Sequence, residues 1–174
     1  MLIARERTMS TEILAYYITW TTYGTWMPGD ARGWRRKLAN RKSIIQPPRY
    51  SDGSFAPQPL LEDWCRDNMK GDSVVLSQAD RLTVEHAVRE HCVVRGWGVL
   101  AINPRSNHVH SVIQAYAKPK SVRDQLKANC TRRLRLQAIP LVVEKTWTTG
   151  GDIEFIYDEK DLAQVIQYVL EAQD

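Results

Sequence analysis

The sequence predicts an α+β domain: a four-stranded antiparallel sheet, two helices packed on it, and an extra helix at the C-terminus. Three observations predict it. Four short segments rich in β-branched and aromatic residues alternate with segments of helical periodicity. The middle two strand segments are separated only by a Pro-containing turn, so they form an antiparallel hairpin. The resulting order of strand, helix, strand, strand, helix, strand is the ferredoxin-like βαββαβ arrangement. At 174 residues the chain is long enough for one domain with a substantial core, and no internal repeat marks a second. We therefore read residues 1–174 as a single unit.

Each element has its own justification. Tyr16 to Thr22 is dense in β-formers and reads as the first strand. Residues 27–76 form a long insertion after it, with Pro47, Pro48, Pro57, Pro59 and Gly53, mostly loop with a short helix near 60–68. Ser77 caps the next helix, with Asp80 three residues on and Val84, Val88 and Cys92 on one stripe. Trp97 to Asn103 and His108 to Ala115 are strands two and three. Ser121 with Asp124 opens a helix whose Val122, Leu126, Cys130 and Leu134 share a face. Ile153 to Tyr157 alternates as strand four, with Ile153, Phe155 and Tyr157 on one face. Acidic residues at 158, 159 and 161 then lead a last helix with Leu162, Val165, Ile166 and Val169 at helical spacing.

Composition narrows the function classes. Charged residues are 25% and the hydrophobic set 43%, ordinary for a water-exposed globular domain; the net charge of +4 leans towards polyanions. No apolar run reaches the ~20 residues that span a bilayer, and the N-terminal segment lacks a signal core. Cys65, Cys92 and Cys130 are scattered, and the latter two fall on apolar stripes, so packed reduced thiols and a cytoplasmic setting are expected.

The chemistry concentrates in Asn107-His108-Val109-His110. Alternate residues of a strand share a face, which sets the two imidazoles roughly 6–7 Å apart at their backbones, close enough to converge on one divalent ion. Tyr168 is the tyrosine well inside the last helix, beside its apolar stripe, where a ring can sit at the helix–sheet margin. A phenol of pKa ~10 is a poor nucleophile at neutral pH, but a cation that neutralises a phosphodiester makes its attack feasible. His91 reads as a core histidine and His86 as a surface one. Neither supplies the second His-x-Ser/Thr motif that a two-histidine RNA phosphoesterase would need.

Asn107-His108-Val109-His110, the later Gln167-Tyr168-Val169-Leu170 and the opening block from Tyr17 to Asp30 together resemble the single-tyrosine HUH transposases, especially the REP-associated tyrosine transposases. The likeness runs from about Ala15 to Gln173. It implies a nuclease and strand-transferase that nicks single-stranded DNA near a hairpin through a 5′-phosphotyrosine intermediate. It further implies Mg²⁺ or Mn²⁺ at His108 and His110, with Tyr168 as nucleophile. Relatives carry a third ligand, Gln or Asn, four residues after the tyrosine. Here that position is Ala172, and Gln173 is the nearest substitute. Some relatives act as homodimers and others as monomers, and both stay open at this stage. The substitution at Ala172 also supports an alternative, a non-catalytic hairpin-binding protein that has lost its chemistry.

Lys118, Lys120, Arg123, Lys127, Arg132, Arg133 and Arg135 lie along or beside the second long helix, largely off its apolar stripe, and are candidates for DNA phosphate contact. The run Arg32, Arg35, Arg36, Lys37, Arg41 and Lys42 in the insertion is a second candidate, with Trp26 and Trp34 near enough to stack on unpaired bases. Those tryptophans serve equally well as pins that hold the loop to the core.

Overall fold

The computed structural model describes residues 12–32 and 55–171. Trp34, the basic run from Arg35 to Lys42, Pro47, Pro48, Gly53, Ala172 and Gln173 lie outside the described residues. The elements are β1 (Ala15–Thr21), α1 (Pro59–Asp67), α2 (Gln78–Arg95), β2 (Gly98–Pro104), β3 (His108–Gln114), α3 (Pro119–Leu136), β4 (Asp152–Ile156) and α4 (Glu159–Glu171). The strands form one antiparallel sheet in the order β2-β3-β1-β4, the ferredoxin-like topology.

The alternation along each strand separates two apolar layers. Ile18 and Trp20 of β1 and Val109 and Ile113 of β3 face α2 and α3, where Val84, Val88, Cys92, Val122, Leu126, Cys130 and Leu134 complete the main core. Most of these side chains are fully buried, each worth about 1.5–3 kcal/mol of removal from water. The opposite face carries Ala15, Ala101, Val112 and Ile156, covered by Val169 of α4 with Leu162, Val165 and Ile166 at the margin. That second layer is thin, because only Val169 of α4 is buried. Thr19, Thr21 and His108 on this face are half-buried.

Local chemistry explains most boundaries. Ser77 accepts from the Asp80 amide while the Asp80 carboxylate accepts from the Ser77 amide, closing a capping box at the start of α2. Gly96 ends α2 at φ 66, where its amide reaches back to the last turn. Helix α3 begins two residues before the expected cap at Ser121. Pro119 occupies its first turn, where a missing N–H leaves nothing unsatisfied, and Ser121 accepts from Gln125 instead. Strand β4 is a sheet edge and buries Ile156 towards α4; Phe155 and Tyr157, on the other face, are 44% and 45% exposed.

The described ends of the insertion are packed. Met27, Phe55, Val74 and Leu76 are buried, and α1 is the expected short helix. His91 is half-buried against Trp97 and 3.1 Å from Gln125 Oε1, and His86 is exposed. All three cysteines are free thiols, and burial pushes the Cys92 thiol up to about 11. No helix among the described residues is long and apolar enough to cross a membrane.

Candidate active site on the open sheet face

The register of the sheet assembles the site. Thr21 pairs with His108, Thr19 with His110, and Tyr17 with Val112 across β1 and β3, while Asn103 of β2 pairs with His110. Directly paired residues share a face, so Asn103, His108, His110, Thr19 and Tyr17 all point to the side that α4 covers. The turn into β3 is held firmly: the Arg105 amide donates to His108 O at 2.7 Å. The Asn107 carbonyl accepts from the Thr22 amide, the Thr22 hydroxyl and the Thr25 hydroxyl.

The two imidazoles meet edge to face, with Nε2 atoms 2.8 Å apart. Their other nitrogens are both engaged. His108 Nδ1 lies 2.5 Å from Asn107 Oδ1 and His110 Nδ1 lies 2.7 Å from the Tyr17 hydroxyl. An amide oxygen only accepts, so His108 carries its proton on Nδ1 and turns the Nε2 lone pair towards His110. A tyrosine hydroxyl both donates and accepts, so it serves either tautomer of His110. Burial, then the His108 and Arg105 charges, hold His110 down to about 4, and it stays neutral at physiological pH. Burial, then the charges of Tyr168, Glu154 and Asp152, push Tyr17 well above the usual phenol range.

These residues fit a divalent cation. Imidazoles whose Nδ1 is held by an oxygen partner are what metal-ligating histidines require. Two nitrogens at about 2.0–2.1 Å from one ion lie about 3–3.4 Å apart, so the rings need to part by only a few tenths of an ångström. Among the described residues, no group of three or more His, Cys, Asp and Glu side chains forms a metal cage, and Gln173 lies outside them.

Tyr168 stands over this pair. Its ring centroid is 5.7 Å from that of His110 and 6.4 Å from that of Tyr17, perpendicular to both, and the side chain is 56% exposed. Asn103 Nδ2 donates to Val169 O at 2.7 Å, which fastens the α4 turn bearing Tyr168 to β2, and Val169 plugs the layer beneath. The structure thus brings His108, His110 and Tyr168 of one chain together. Sequence reasoning missed Asn103 and the specific role of Tyr17. Period-two alternation would have assigned Tyr17 a face, but which residue opposes it depends on strand pairing that no local pattern encodes.

The basic residues divide. Helix α3 lies across the sheet from the histidines. Lys118, Lys120, Arg132 and Arg135 are exposed on it, and Arg133 pairs with Glu90. Arg123 is 8% exposed, donating to Gly151 O at 3.1 Å and to Asp124 at 2.9 Å. Lys127 donates to Thr148 O and Gly150 O, both at 2.6 Å. These last two side chains tie the segment before β4 to α3.

Comparison with protein-family models finds no match, nor does comparison with curated proteins. Among solved structures, the chain is similar to a REP-associated tyrosine transposase bound to a REP hairpin: TM-score 0.50 and 10% identity, over 96% of this chain and 70% of that one. It is also similar to a Deinococcus radiodurans R1 protein described as a transposase candidate: TM-score 0.49 and 14% identity, over 97% and 96% of the two chains. The first likeness establishes a shared fold.

Proposed function

We propose that this protein is a metal-dependent single-stranded DNA nickase and strand-transferase of the tyrosine HUH type, acting beside a DNA hairpin. The observation that carries the reading is the meeting of two imidazoles, Nε2 to Nε2, with the ring of Tyr168 beside His110. His108 and His110 would hold Mg²⁺ or Mn²⁺, with Gln173 as the candidate third ligand, and such an ion would supply charge neutralisation at the scissile phosphate. The Tyr168 oxygen attacks phosphorus in line; its O–P bond forms as the P–O3′ bond breaks. The phenolic proton is relayed through water to the departing O3′, and the strand bearing the new 3′-hydroxyl leaves. Energy of the ester is kept in the 5′-phosphotyrosine, so a second 3′-hydroxyl can reverse the exchange and join a new strand. Lys118, Lys120, Arg132, Arg133 and Arg135 give hairpin phosphates a basic helix on the other side of the sheet, while Arg123 and Lys127 brace the segment before β4. The free thiols are consistent with a cytoplasmic setting.

The test is incubation with 5′-labelled and 3′-labelled hairpin oligonucleotides carrying single-stranded flanks, in Mn²⁺. Wild-type protein should form a denaturant-stable adduct with the fragment 3′ of the nick, and Tyr168→Phe and His108→Ala should not. Metal-independent hairpin binding with no adduct would establish the non-catalytic reading that Ala172 supports. An undiminished adduct with Tyr168→Phe would overturn the proposed nucleophile.

A further inference from the structure

The sheet end that carries His108 also carries a planar aromatic–cation stack with no part in the chemistry above. As the chain leaves β1, the Thr25 hydroxyl bonds to Thr22 O at 3.2 Å and to Asn107 O at 3.3 Å, so the loop is fastened to the residue that orients His108. Trp26 follows at once and is 39% exposed. The Arg32 guanidinium lies over its ring, 4.7 Å from the centroid. That guanidinium is fixed on edge: Nε donates to Asp30 Oδ1 at 2.8 Å, and Nη2 to Asp30 Oδ2 at 2.6 Å and to Thr25 O at 2.7 Å. Asp30 is itself 6% exposed. Gly29, at φ 95, lets the loop press against α1; a Cβ there would stand 2.4 Å from Gln58 O.

Three residues upstream, Tyr23 repeats the device. Its ring has the Lys145 ammonium 5.1 Å from the centroid, and its hydroxyl accepts from the Lys70 amide. Backbone bonds to Thr146 and Val74 hold it in place. Both pairs are ordered in advance by hydrogen bonds that other parts of the fold supply, and Tyr23 packs against the main core. The Arg32 guanidinium, held over the indole and half exposed, offers a planar cation on which a base can stack, with little entropy left to lose.

We propose that the Trp26–Arg32 stack is a stacking site for an unpaired nucleobase of the strand that runs into the histidine–tyrosine site. The proposal rests on single-stranded DNA being the substrate, and its test is independent of cleavage. Binding of a fluorescein-labelled twelve-nucleotide oligothymidylate and of an abasic strand of equal length is measured by anisotropy in EDTA. Trp26→Ala should weaken oligothymidylate binding about tenfold or more and leave the abasic strand within about twofold, as loss of one stacked base predicts. Trp26→Phe should restore most of the affinity, and Arg32→Lys should weaken oligothymidylate binding while the abasic strand is unaffected. Near-ultraviolet circular dichroism checks that each variant folds. The proposal is overturned if wild-type protein does not favour the base-bearing strand, if Trp26→Ala binds it as tightly, or if both strands weaken equally. The last outcome would make the stack a clamp for its own loop. The covalent adduct at Tyr168 is read separately, so stacking without an adduct counts against the catalytic reading alone, and an adduct without stacking against this one alone.

Discussion

At the scale of single residues, orientation matters more than identity. Many strands carry two alternate histidines, but here each Nδ1 has an oxygen partner that turns its Nε2 inward. Removing the Tyr17 hydroxyl leaves His110 free to rotate or change tautomer while the apolar ring stays in place. Tyr17→Phe should therefore lower Mn²⁺ affinity about 10- to 100-fold, the usual cost of losing an outer-shell partner, as followed by electron paramagnetic resonance titration. Thermal stability should fall by no more than the ~1 kcal/mol of one hydrogen bond. Unchanged metal affinity would show that Tyr17 merely packs.

At the scale of elements, two attachments set what the site can do. Asn103 reaches from β2 to the backbone of α4, so Asn103→Ala should slow formation of the proposed Tyr168 adduct several-fold while Mn²⁺ affinity stays within about twofold, because the proposed ligands lie on β3. A parallel loss of both would mean that Asn103 supports the sheet instead. Helix α2 is anchored through Asp80. Burial alone would raise its carboxyl, but hydrogen bonds from Gln137 and from the Ser77 side chain and backbone outweigh it and hold Asp80 below the usual carboxylate range. The sign follows: the added stability is complete above the unfolded value of about 4 and fades as pH falls through the lower folded value. Asp80→Asn should cost about 1 kcal/mol at pH 7 and flatten that acid dependence, as denaturant titrations at pH 7 and pH 3 would reveal. The cap was legible because Ser77 and Asp80 are three residues apart; the Gln137 contact was not, because it joins two helices 57 positions apart in sequence.

At the scale of the whole molecule, the tyrosine lies beside the histidines of its own chain. A single chain then holds both halves of the proposed machinery. Mixing His108→Ala with Tyr168→Phe should consequently fail to restore the covalent adduct. Restoration to a substantial fraction of wild-type yield would mean that α4 is exchanged between two copies. The same architecture places α3 and the histidines on opposite sides of the sheet, so a hairpin held by α3 must send its single strand around an edge to reach the two histidines. Affinity for such a hairpin should fall steeply with salt, and Lys118→Ala with Lys120→Ala should shallow the slope of log K against log salt by about 1–2, measured by anisotropy.

Local periodicity was enough to determine the succession of strands and helices, the hairpin between β2 and β3, the common face of His108 and His110, and the place of Tyr168 on a terminal helix. Those are short-range properties: 2.0 and 3.6 residues per repeat, caps, and turn formers, all encoded within a few residues. Only the tertiary structure decided that Tyr17 orients His110, that Asn103 carries α4 to the site, and that Arg123 and Lys127 brace a backbone segment. It also decided that α3 lies across the sheet from the site. Each of these depends on register or on packing between distant segments, where one residue of slip moves a side chain to the other face, and no short stretch of sequence carries that information.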